Sequence, residues 1–209
     1  IEPHDSPDRY RELGVDVIQG AARITSPWSV DVAGRTLTTR NIIIAAGGRP
    51  VMPPIPGLDT VPAYTSDTLW GLREQPKRLL VLGGGPIGCE LAQAFQRLGS
   101  QVIQVEQGER LLANEDSDAS ELVSLAMRSE GVDLRLGHKA ERFEQTDQGA
   151  VMQARQLDTD ELVSISFDAV LVAVGRRANT QGYGVEELGL KLRDNGTLET
   201  NEYLATRFP

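Results

Sequence analysis

Short apolar runs dominate the first sixty residues of the chain. The segments VDVIQG (15–20) and WSVDVAG (28–34) alternate apolar and polar positions, which predicts half-buried strands. The run NIIIAAGG is continuously apolar over residues 42–46, which predicts a strand buried on both faces. Five prolines follow within residues 50–62. They exclude a helix and a central strand, so we expect an extended connector and a domain boundary there.

The pattern then changes to alternating strands and helices. Residues 79–82 form a short apolar run, residues 86–98 carry helical spacing, and Gly99 is a good helix stop. A second apolar run at 102–105 predicts the next strand. Because strand, helix and strand follow one another, we expect parallel pairing.

The pattern continues to residue 174. A helix is predicted over 117–130, with Leu122, Leu125 and Ala126 on its apolar face, and a strand follows at 132–136. Short strand-like runs in 140–168 predict an antiparallel meander, and residues 169–174 predict one more buried strand. The predicted fold class is α/β, a Rossmann-like doubly wound parallel sheet with a β-meander. Residues 176–209 read as loop with one short strand or helix.

The composition of the chain argues against several classes of binding partner. The formal net charge is −9, which argues against nucleic acid and anionic membranes, since both attract clustered Lys and Arg. No apolar run approaches the roughly 20 residues that span a bilayer. A single cysteine among 209 residues excludes an internal disulfide framework and a cysteine-based metal cluster. These features are typical of a cytoplasmic protein.

The stretch LLVLGGGPIGCE contains the motif G-x-G-x-x-G at Gly83, Gly85 and Gly88. In a dinucleotide site the first glycine permits the turn, the second admits the pyrophosphate, and the third permits close packing of helix on strand. Pro86 and Ile87 would open the helix whose N-terminus faces the phosphates. A plain structural turn is the alternative interpretation.

An acidic residue follows the second strand at the position that a ribose contact needs. Glu106 lies 18 residues after Gly88, where a carboxylate accepts hydrogen bonds from the adenosine ribose and repels a 2′-phosphate. We therefore expect NADH to be preferred over NADPH. Arg110 lies near enough in sequence to offset this acid.

No other residue pattern predicts catalysis or metal binding. His4 and His138 are expected to be solvated, His138 in a turn between strands. Cys89 is interpreted as a small packed side chain, because dithiol chemistry needs two sulfurs. The acidic runs at 114–118 and 158–161 lack the spacing of a calcium loop and read as turns or helix caps.

Four motifs in order carry a resemblance to a known family. They are RNIIIAAGGRPVMPPIPGLD, LLVLGGGPIGCELAQAFQRLGSQVIQVE, AVLVAVGRRANT and TNEYLATRFP. With these four motifs the chain resembles the pyridine nucleotide–disulfide oxidoreductases. It is most similar to the branch that contains dihydrolipoamide dehydrogenase, mercuric reductase and glutathione reductase. The resemblance implies a piece of a longer protein that contains the NAD(P)-binding region. Ala178 stands where the family usually has proline.

The resemblance also implies a division of the chain. Residues 63–175 would be the NAD(P)-binding domain inserted into an FAD domain. Residues 1–62 would be the end of the first FAD-domain segment with its connector, a remnant of the flanking domain. Residues 176–209 would return towards the second FAD-domain segment, and a dimerisation domain would follow.

The resemblance assigns roles to four further residues. Gly47 would approach FAD, Gly175 would lie along the nicotinamide half of the dinucleotide, and Ala140 would offer backbone near the adenine. Glu90 has two interpretations. It is either an acid stabilised in the first turn of its helix or, as the family implies, the partner of a lysine beside the flavin.

The implied function is passage of a hydride from NADH to flavin, and then to a disulfide or similar acceptor. The chain has no C-x4-C pair and no second glycine-rich fingerprint, so we expect it to bind NAD(H), to retain no FAD and to be inactive alone. Two alternatives stay open. One is an NADH-dependent flavoprotein without a redox disulfide, such as an NADH oxidase or a ferredoxin-reductase-like enzyme. The other is a non-catalytic nucleotide-binding module.

Overall fold

The computed structural model describes residues 2–208. The helices are α1 (Glu2–Asp5), α2 (Pro7–Glu12), α3 (Pro86–Arg97) and α4 (Ser117–Ser129), with 3₁₀ turns at Leu58–Thr60 and Leu69–Gly71. The strands are β1 (Arg23–Ser26), β2 (Ser29–Val32), β3 (Arg35–Thr38), β4 (Gly48–Pro50), β5 (Ala63–Tyr64), β6 (Arg78–Leu82), β7 (Gln101–Val105), β8 (Asp133–Arg135), β9 (His138–Thr146), β10 (Gly149–Gln156), β11 (Leu162–Phe167), β12 (Ala169–Val172) and β13 (Arg176–Ala178). No helix among these residues is both long and apolar enough to cross a membrane.

The described residues form two compact units. One contains the residues up to Gly48 and those from Ala178 onward, and the other contains Arg49–Arg177. The chain leaves the first unit once and returns to it, which is the arrangement of an inserted domain.

A five-stranded parallel sheet lies at the centre of the Arg49–Arg177 unit. Its strand order is β5-β12-β6-β7-β8, and each neighbouring pair is parallel. The central strands β6 and β12 are almost entirely buried, as their continuous apolar sequences predict. The prediction of an α/β fold with a parallel sheet is confirmed.

The two faces of this sheet are covered by different layers. One face packs against α3 and α4 in an apolar cluster that includes Cys89, Ala92 and Met127. The other face packs against the antiparallel meander β9-β10-β11 through Phe143, Phe167 and neighbouring residues. The predicted meander is therefore present, and it supplies the second covering layer that a buried parallel sheet requires.

Helix α3 begins and ends at the predicted signals. Pro86 occupies the first turn, where its missing N–H leaves no hydrogen bond unmade. Gly85 precedes it as the N-cap. The helix stops just before Gly99, whose φ of 104° is accessible mainly to glycine.

Helix α4 exists where predicted, but its predicted apolar face is wrong. Leu122 and Leu125 are 68% and 58% exposed, whereas Met127 and Ser120 are buried. The Ser120 hydroxyl donates to the Leu111 carbonyl at 2.7 Å, so a polar side chain is accommodated in the packed face. A short apolar spacing alone did not reveal that face, since i, i+3 and i+4 pairs occur on either side of a helix.

The other unit contains a small antiparallel sheet of order β1-β2-β3. Strand β2 confirms the prediction for the WSVDVAG segment, and Val32 is buried. Residues 15–20 are not a strand, and the predicted strand there is wrong. Residue Val15 is half exposed, and the strand that pairs with β2 begins later, at Arg23.

The predicted buried strand at residues 42–46 is also wrong. These residues belong to no strand, and Ile43 is 90% exposed. An apolar sequence becomes a buried strand only where neighbouring strands satisfy its backbone groups and cover its side chains. No described residue of this unit pairs with residues 42–46.

Residues 176–208 are mostly irregular apart from β13, as predicted. One bridge joins Leu192 and Leu198. The segment is held to β1 within the same unit, because Ile24 N–H donates to the Tyr183 carbonyl at 2.8 Å. Gly184 permits this contact, since a Cβ there would lie 2.0 Å from the Ile24 carbonyl oxygen. His4 is exposed, as predicted, and lies in α1.

Candidate functional site

A cleft of about 860 Å³ opens at the carboxyl ends of three parallel strands in the Arg49–Arg177 unit. The last residues of β12, β6 and β7 (Val172, Leu82 and Val105) all line it. Ligands of open α/β sheets bind at this edge, because the loops that leave the strands converge there. The other lining residues are Pro50, Pro53, Ile55, Ser66, Gly83, Gly84, Gly85, Pro86, Ile87, Glu106, Gln107, Asn114, His138, Lys139, Ala140, Ala173, Val174, Gly175 and Arg176.

The first and third glycines of the motif are required by close backbone packing. Gly83 has a φ of 114°, and a Cβ there would lie 2.4 Å from the Ala173 carbonyl oxygen. A Cβ on Gly88 would lie 2.3 Å from the Gly83 carbonyl oxygen. Both distances are far below van der Waals contact, so a larger residue at either position would force the loop to move.

The second glycine is different, because nothing packs against it. Gly85 has a φ of −77°, and no heavy atom lies within 4 Å of the Cβ position. It lines the cleft, and no side chain caps the N-terminus of α3. The absence of a side chain leaves the first turn of a twelve-residue helix open to the cleft. Its unpaired N–H groups and the helix dipole favour an anion at this place.

Glu106 lines the cleft and also bonds to two loops. Its Oε2 accepts from Gly84 N–H at 2.6 Å, and its Oε1 accepts from Gly108 N–H at 2.6 Å. Each carboxylate oxygen has two acceptor sites, so both oxygens keep one for a ligand hydroxyl. The predicted ribose acceptor therefore also fixes the shape of the cleft.

Arg110 does not contribute a charge to the cleft lining. Its guanidinium donates to the carbonyls of Ala113 and Glu115 at 2.7 and 2.9 Å. These bonds hold the cation against the backbone of the following turn. The arginine that could offset Glu106 by sequence proximity is thus engaged elsewhere.

Two further predicted residues line the same cleft. Gly175 has a φ of 135°, and its carbonyl accepts from Val51 N–H at 3.0 Å. Ala140 lies in β9, opposite Ala154 on β10, where the register of the meander shifts. The structure thus brings together Gly83, Gly85, Pro86, Ile87, Glu106, Ala140 and Gly175, which are spread over 93 positions of sequence.

Three predicted residues lie outside the cleft lining. Gly88 is buried behind the loop. Glu90 is exposed on α3 beyond the first turn, which contains no acidic residue, so its interpretation as a first-turn acid is wrong. Its pairing with a lysine beside a flavin stays a prediction. Gly47 belongs to the other unit, where its carbonyl accepts from Asn179 N–H at 3.0 Å.

His138 contradicts the prediction of a solvated turn residue. It is the first residue of β9, is 8% exposed and lines the cleft. Its Nδ1 lies 2.6 Å from the Leu136 carbonyl oxygen, a contact that requires a proton on Nδ1. The turn that the sequence indicated lies one residue earlier, at Gly137, whose φ is 64°.

Cys89 is buried, in keeping with its interpretation as a small packed side chain. Its thiol donates to the Gly84 carbonyl at 3.5 Å. Burial raises the pKa of this thiol, a hydrogen bond from Gln104 partly opposes the rise, and nearby Glu106 and Glu90 add to it. A thiol that stays protonated is a poor nucleophile. Among the described residues, no group of three His, Cys, Asp or Glu side chains is placed to hold a metal ion.

Sequence reasoning missed several polar residues of the cleft. Gln107 and Asn114 come from the loop after β7, and Lys139 comes from β9. Arg176 also lines the cleft and donates to Ser66 and Asp67 of the same unit. The predicted strand ends indicated which loops would converge, but the course of each loop decided which of its side chains reach the cleft.

The chain matches known proteins over nearly its whole length. The family described as pyridine nucleotide-disulphide oxidoreductase matches residues 8–209. The chain is 37% identical to glutathione reductase of Burkholderia cepacia over 195 residues, which cover 93% of this chain and 42% of that protein. It is 35% identical to mercuric reductase of Staphylococcus aureus over 199 residues, covering 95% of this chain and 36% of that one.

Two other similarities agree with these. Dihydrolipoyl dehydrogenase of Thermus scotoductus is 36% identical over 200 residues, covering 93% of this chain and 42% of that protein. A solved structure, the Cu(II) complex of the HOCl-induced flavoprotein disulfide reductase RclA from Escherichia coli, superposes with a TM-score of 0.80 at 30% identity. The alignment covers 97% of this chain and 45% of that one. The chain therefore spans less than half the length of these four proteins, and it belongs to the pyridine nucleotide-disulphide oxidoreductase family.

Proposed function

We propose that the cleft binds NAD(H), and that residues 63–175 are the NAD(P)-binding domain of an FAD-dependent oxidoreductase. The observation that carries this proposal is the open N-terminus of α3. Gly85 presents no side chain, no side chain caps the helix, and the first turn faces a cleft of about 860 Å³. Backbone donors of this kind bind a pyrophosphate without basic residues, which suits a chain with a net charge of −9.

Family membership supports a flavoprotein over a stand-alone nucleotide-binding module. Members of the family are flavoproteins that use FAD and a pyridine nucleotide. The dinucleotide supplies a hydride, and flavin in the whole protein accepts it on the way to a disulfide or similar acceptor. Residues 1–62 and 176–209 would then be the adjoining parts of the FAD domain.

The residues of this chain would bind and orient the dinucleotide. The N–H groups at Gly85 and in the first turn of α3 would bind the phosphates. Glu106 would accept from the adenosine ribose, Ala140 would lie near the adenine, and Gly175 would lie along the nicotinamide half. Gly175 presents no side chain at a wall of the cleft, and no heavy atom lies within 4 Å of its Cβ position.

We further propose that NADH is preferred over NADPH. Glu106 lines the cleft with both carboxylate oxygens held by backbone N–H groups, and it would repel a 2′-phosphate. Arg110 donates to backbone carbonyls of the next turn and does not line the cleft. The cation nearest in sequence is therefore not available to compensate.

The test is a calorimetric titration of the chain with NADH and NADPH, repeated for Glu106→Gln. We expect NADH to bind at least about tenfold more tightly, and we expect the variant to reduce this ratio, because a like charge facing the phosphate is lost. The substitution Glu106→Gln keeps one acceptor oxygen for the loop, which Glu106→Ala would remove.

The matched control is Glu109→Gln, which removes one negative charge from an exposed residue of the same loop that does not line the cleft. It should leave the ratio unchanged. A preference for NADPH would overturn the role given to Glu106. Binding of neither nucleotide to the unaltered chain would overturn the proposed site.

A further inference from the structure

Gln104 is a polar side chain in the apolar centre of the parallel sheet. It lies in β7, between β6 and β8, and is fully buried. Its neighbours across the sheet are Val81 and Leu134. Most side chains in such a position are apolar, because burying an amide has a cost unless each half is hydrogen-bonded.

Only one half of the Gln104 amide is satisfied. The Nε2 donates to the Gly83 carbonyl at 2.9 Å, and it also lies 3.8 Å from the Cys89 sulfur, a weaker acceptor. The Oε1 has no hydrogen-bond partner among residues 2–208. An apolar side chain of similar size would fill the same space without this unpaired oxygen, so fold stability alone gives no reason for glutamine here. The Nε2 group, which is hydrogen-bonded to the glycine loop, therefore indicates a role for Gln104 other than stabilising the fold.

The bond from Gln104 reaches a peptide group that Glu106 also contacts. The carbonyl of Gly83 and the N–H of Gly84 belong to one peptide unit. Gln104 donates to the oxygen of that unit, and Glu106 accepts from its nitrogen at 2.6 Å. Gln104 is in β7, and Glu106 is the first residue after that strand. One peptide is therefore held from both of its polar ends.

Neighbouring contacts fix the next peptide of the loop in turn. The Gly84 carbonyl accepts from Leu112 N–H at 2.8 Å. This orients the peptide between Gly84 and Gly85, whose N–H makes no hydrogen bond to another described residue. Gly85 lines the cleft and is the N-cap of α3. The absence of a side chain at Gly88 leaves room for the arrangement, since a Cβ there would lie 3.2 Å from Gln104 Nε2.

From this geometry we propose that Gln104 is a positioning residue for the dinucleotide phosphates. It fixes the rotation of the Gly83–Gly84 peptide, and through it the direction of the N–H groups at the N-terminus of α3. The inference rests on the proposed binding of NAD(H) at this cleft. Gln104 itself touches no ligand, because it is buried beneath the loop and does not line the cleft.

The test compares Gln104→Met with Gln101→Met in the full 209-residue chain. Methionine has nearly the shape of glutamine but cannot donate to Gly83. Gln101 lies on the same strand at its far end and is exposed, so it is a matched control for the substitution. The ligand is ADP-ribose, which carries the pyrophosphate without the nicotinamide. Two quantities are measured, the Kd for ADP-ribose and the urea midpoint of unfolding.

We expect Gln104→Met to raise the Kd by about fivefold, the effect of one net hydrogen bond. The urea midpoint should change little, because one unpaired oxygen at Gly83 replaces another at Gln104. Gln101→Met should change neither quantity. A Kd for Gln104→Met equal to that of the unaltered chain overturns the positioning role while leaving the proposed function intact. Failure of the unaltered chain to bind NADH or ADP-ribose overturns the proposed function, and this inference with it.

A measurement on the unaltered chain covers the case in which Gln104→Met does not fold. The side-chain amide signals of Gln104 are followed by ¹⁵N NMR while ADP-ribose is added. We expect them to shift on binding, because the acceptor at Gly83 is polarised when the adjacent N–H groups bind phosphate. Signals that stay unchanged at saturation overturn the proposal.

Discussion

Gly83 and Gly85 are two positions apart in the same motif, yet they are glycine for different reasons. At Gly83 a side chain is excluded by the protein itself, since a Cβ would meet the Ala173 carbonyl at 2.4 Å. At Gly85 the protein leaves open space in the cleft. The motif thus combines a residue required for folding with a residue that we propose is required for the ligand.

Alanine substitutions at Gly83 and at Gly85 test the folding role and the ligand role separately. Gly83→Ala should lower the free energy of unfolding by at least about 2 kcal/mol, because it adds a clash to a backbone conformation that disfavours side chains. Gly85→Ala should leave it unchanged or raise it by up to about 1 kcal/mol. It should nevertheless weaken NADH binding, because its methyl group projects into the cleft. Urea denaturation and NADH titration measure the two effects, and normal NADH affinity in Gly85→Ala would contradict the proposed phosphate position.

At the scale of the element, α4 shows how far periodicity identifies a packed face. Met127 is 1% exposed, whereas Leu122 is 68% exposed. The predicted helix, residues 117–130, matches α4 to within a residue, but both leucines of its predicted apolar face lie outside the core. Packing against β8 and the loop at Leu111 decided the orientation.

Replacement by alanine should affect stability strongly at Met127 and little at Leu122. Met127→Ala should lower the free energy of unfolding by about 2–5 kcal/mol, as expected for truncation of a buried side chain. Leu122→Ala should change it by less than about 0.5 kcal/mol, as expected at the surface. Chemical denaturation of both variants is the measurement. A large loss for Leu122→Ala would mean that the predicted apolar face is packed after all.

The sheet carries an ion pair between the ends of two adjacent strands. Asp168, just before β12, accepts from the backbone N–H of Arg78 at 2.8 Å and from its guanidinium at 2.6 and 3.2 Å. The Arg78 guanidinium, followed by its backbone N–H, lowers the pKa of the Asp168 carboxyl below its usual range. A carboxyl with a lowered folded-state pKa stabilises the fold when ionised.

The ion pair between Asp168 and Arg78 makes the stability of the fold depend on pH. The contribution of Asp168 is fully present above the unfolded-state pKa of about 3.9 and is lost as the pH falls through the lower folded-state value. Because about a third of each side chain is exposed to solvent, Asp168→Asn should cost only about 0.5–1 kcal/mol at neutral pH. The difference from the unaltered chain should shrink at acidic pH. Asp147→Asn, at an exposed turn, is the control, and a difference that persists below both pKa values would contradict the ion-pair explanation.

At the scale of the whole molecule, the cysteine content bears on whether this chain can reduce a disulfide by dithiol exchange. It has one cysteine, and that cysteine is buried with a raised pKa. Dithiol exchange requires a second sulfur and a thiolate. We therefore expect the chain, mixed with NADH and glutathione disulfide, to consume no NADH as followed by its absorbance. Consumption that survives Cys89→Ala would show a redox centre that the cleft does not explain.

Local chemistry in the sequence determined the α/β class, the strand–glycine–helix unit, the start and end of α3, and the position of Glu106. Each depends on short-range rules, namely apolar run length, proline at a helix start and glycine after a helix end, which involve only residues close together in sequence. The same rules failed at residues 42–46 and 15–20, because a strand also needs partners, and partners are set by distant parts of the chain. They failed at His138 for a related reason, since a one-residue shift of a turn moves a side chain from solvent to a buried position.

Only the tertiary structure decided which residues of six separate stretches of the chain face one cleft. It also showed that Glu106 bonds to Gly84 and Gly108, that Arg110 is held by backbone carbonyls, and that Gln104 holds the other end of the peptide contacted by Glu106. A sequence motif specifies the residue types that a phosphate loop needs. It does not specify what lies beneath the loop, because the bonds from Gln104 to Gly83 and from Gly84 to Glu106 join residues 21 and 22 positions apart, which meet only when the parallel strands pair.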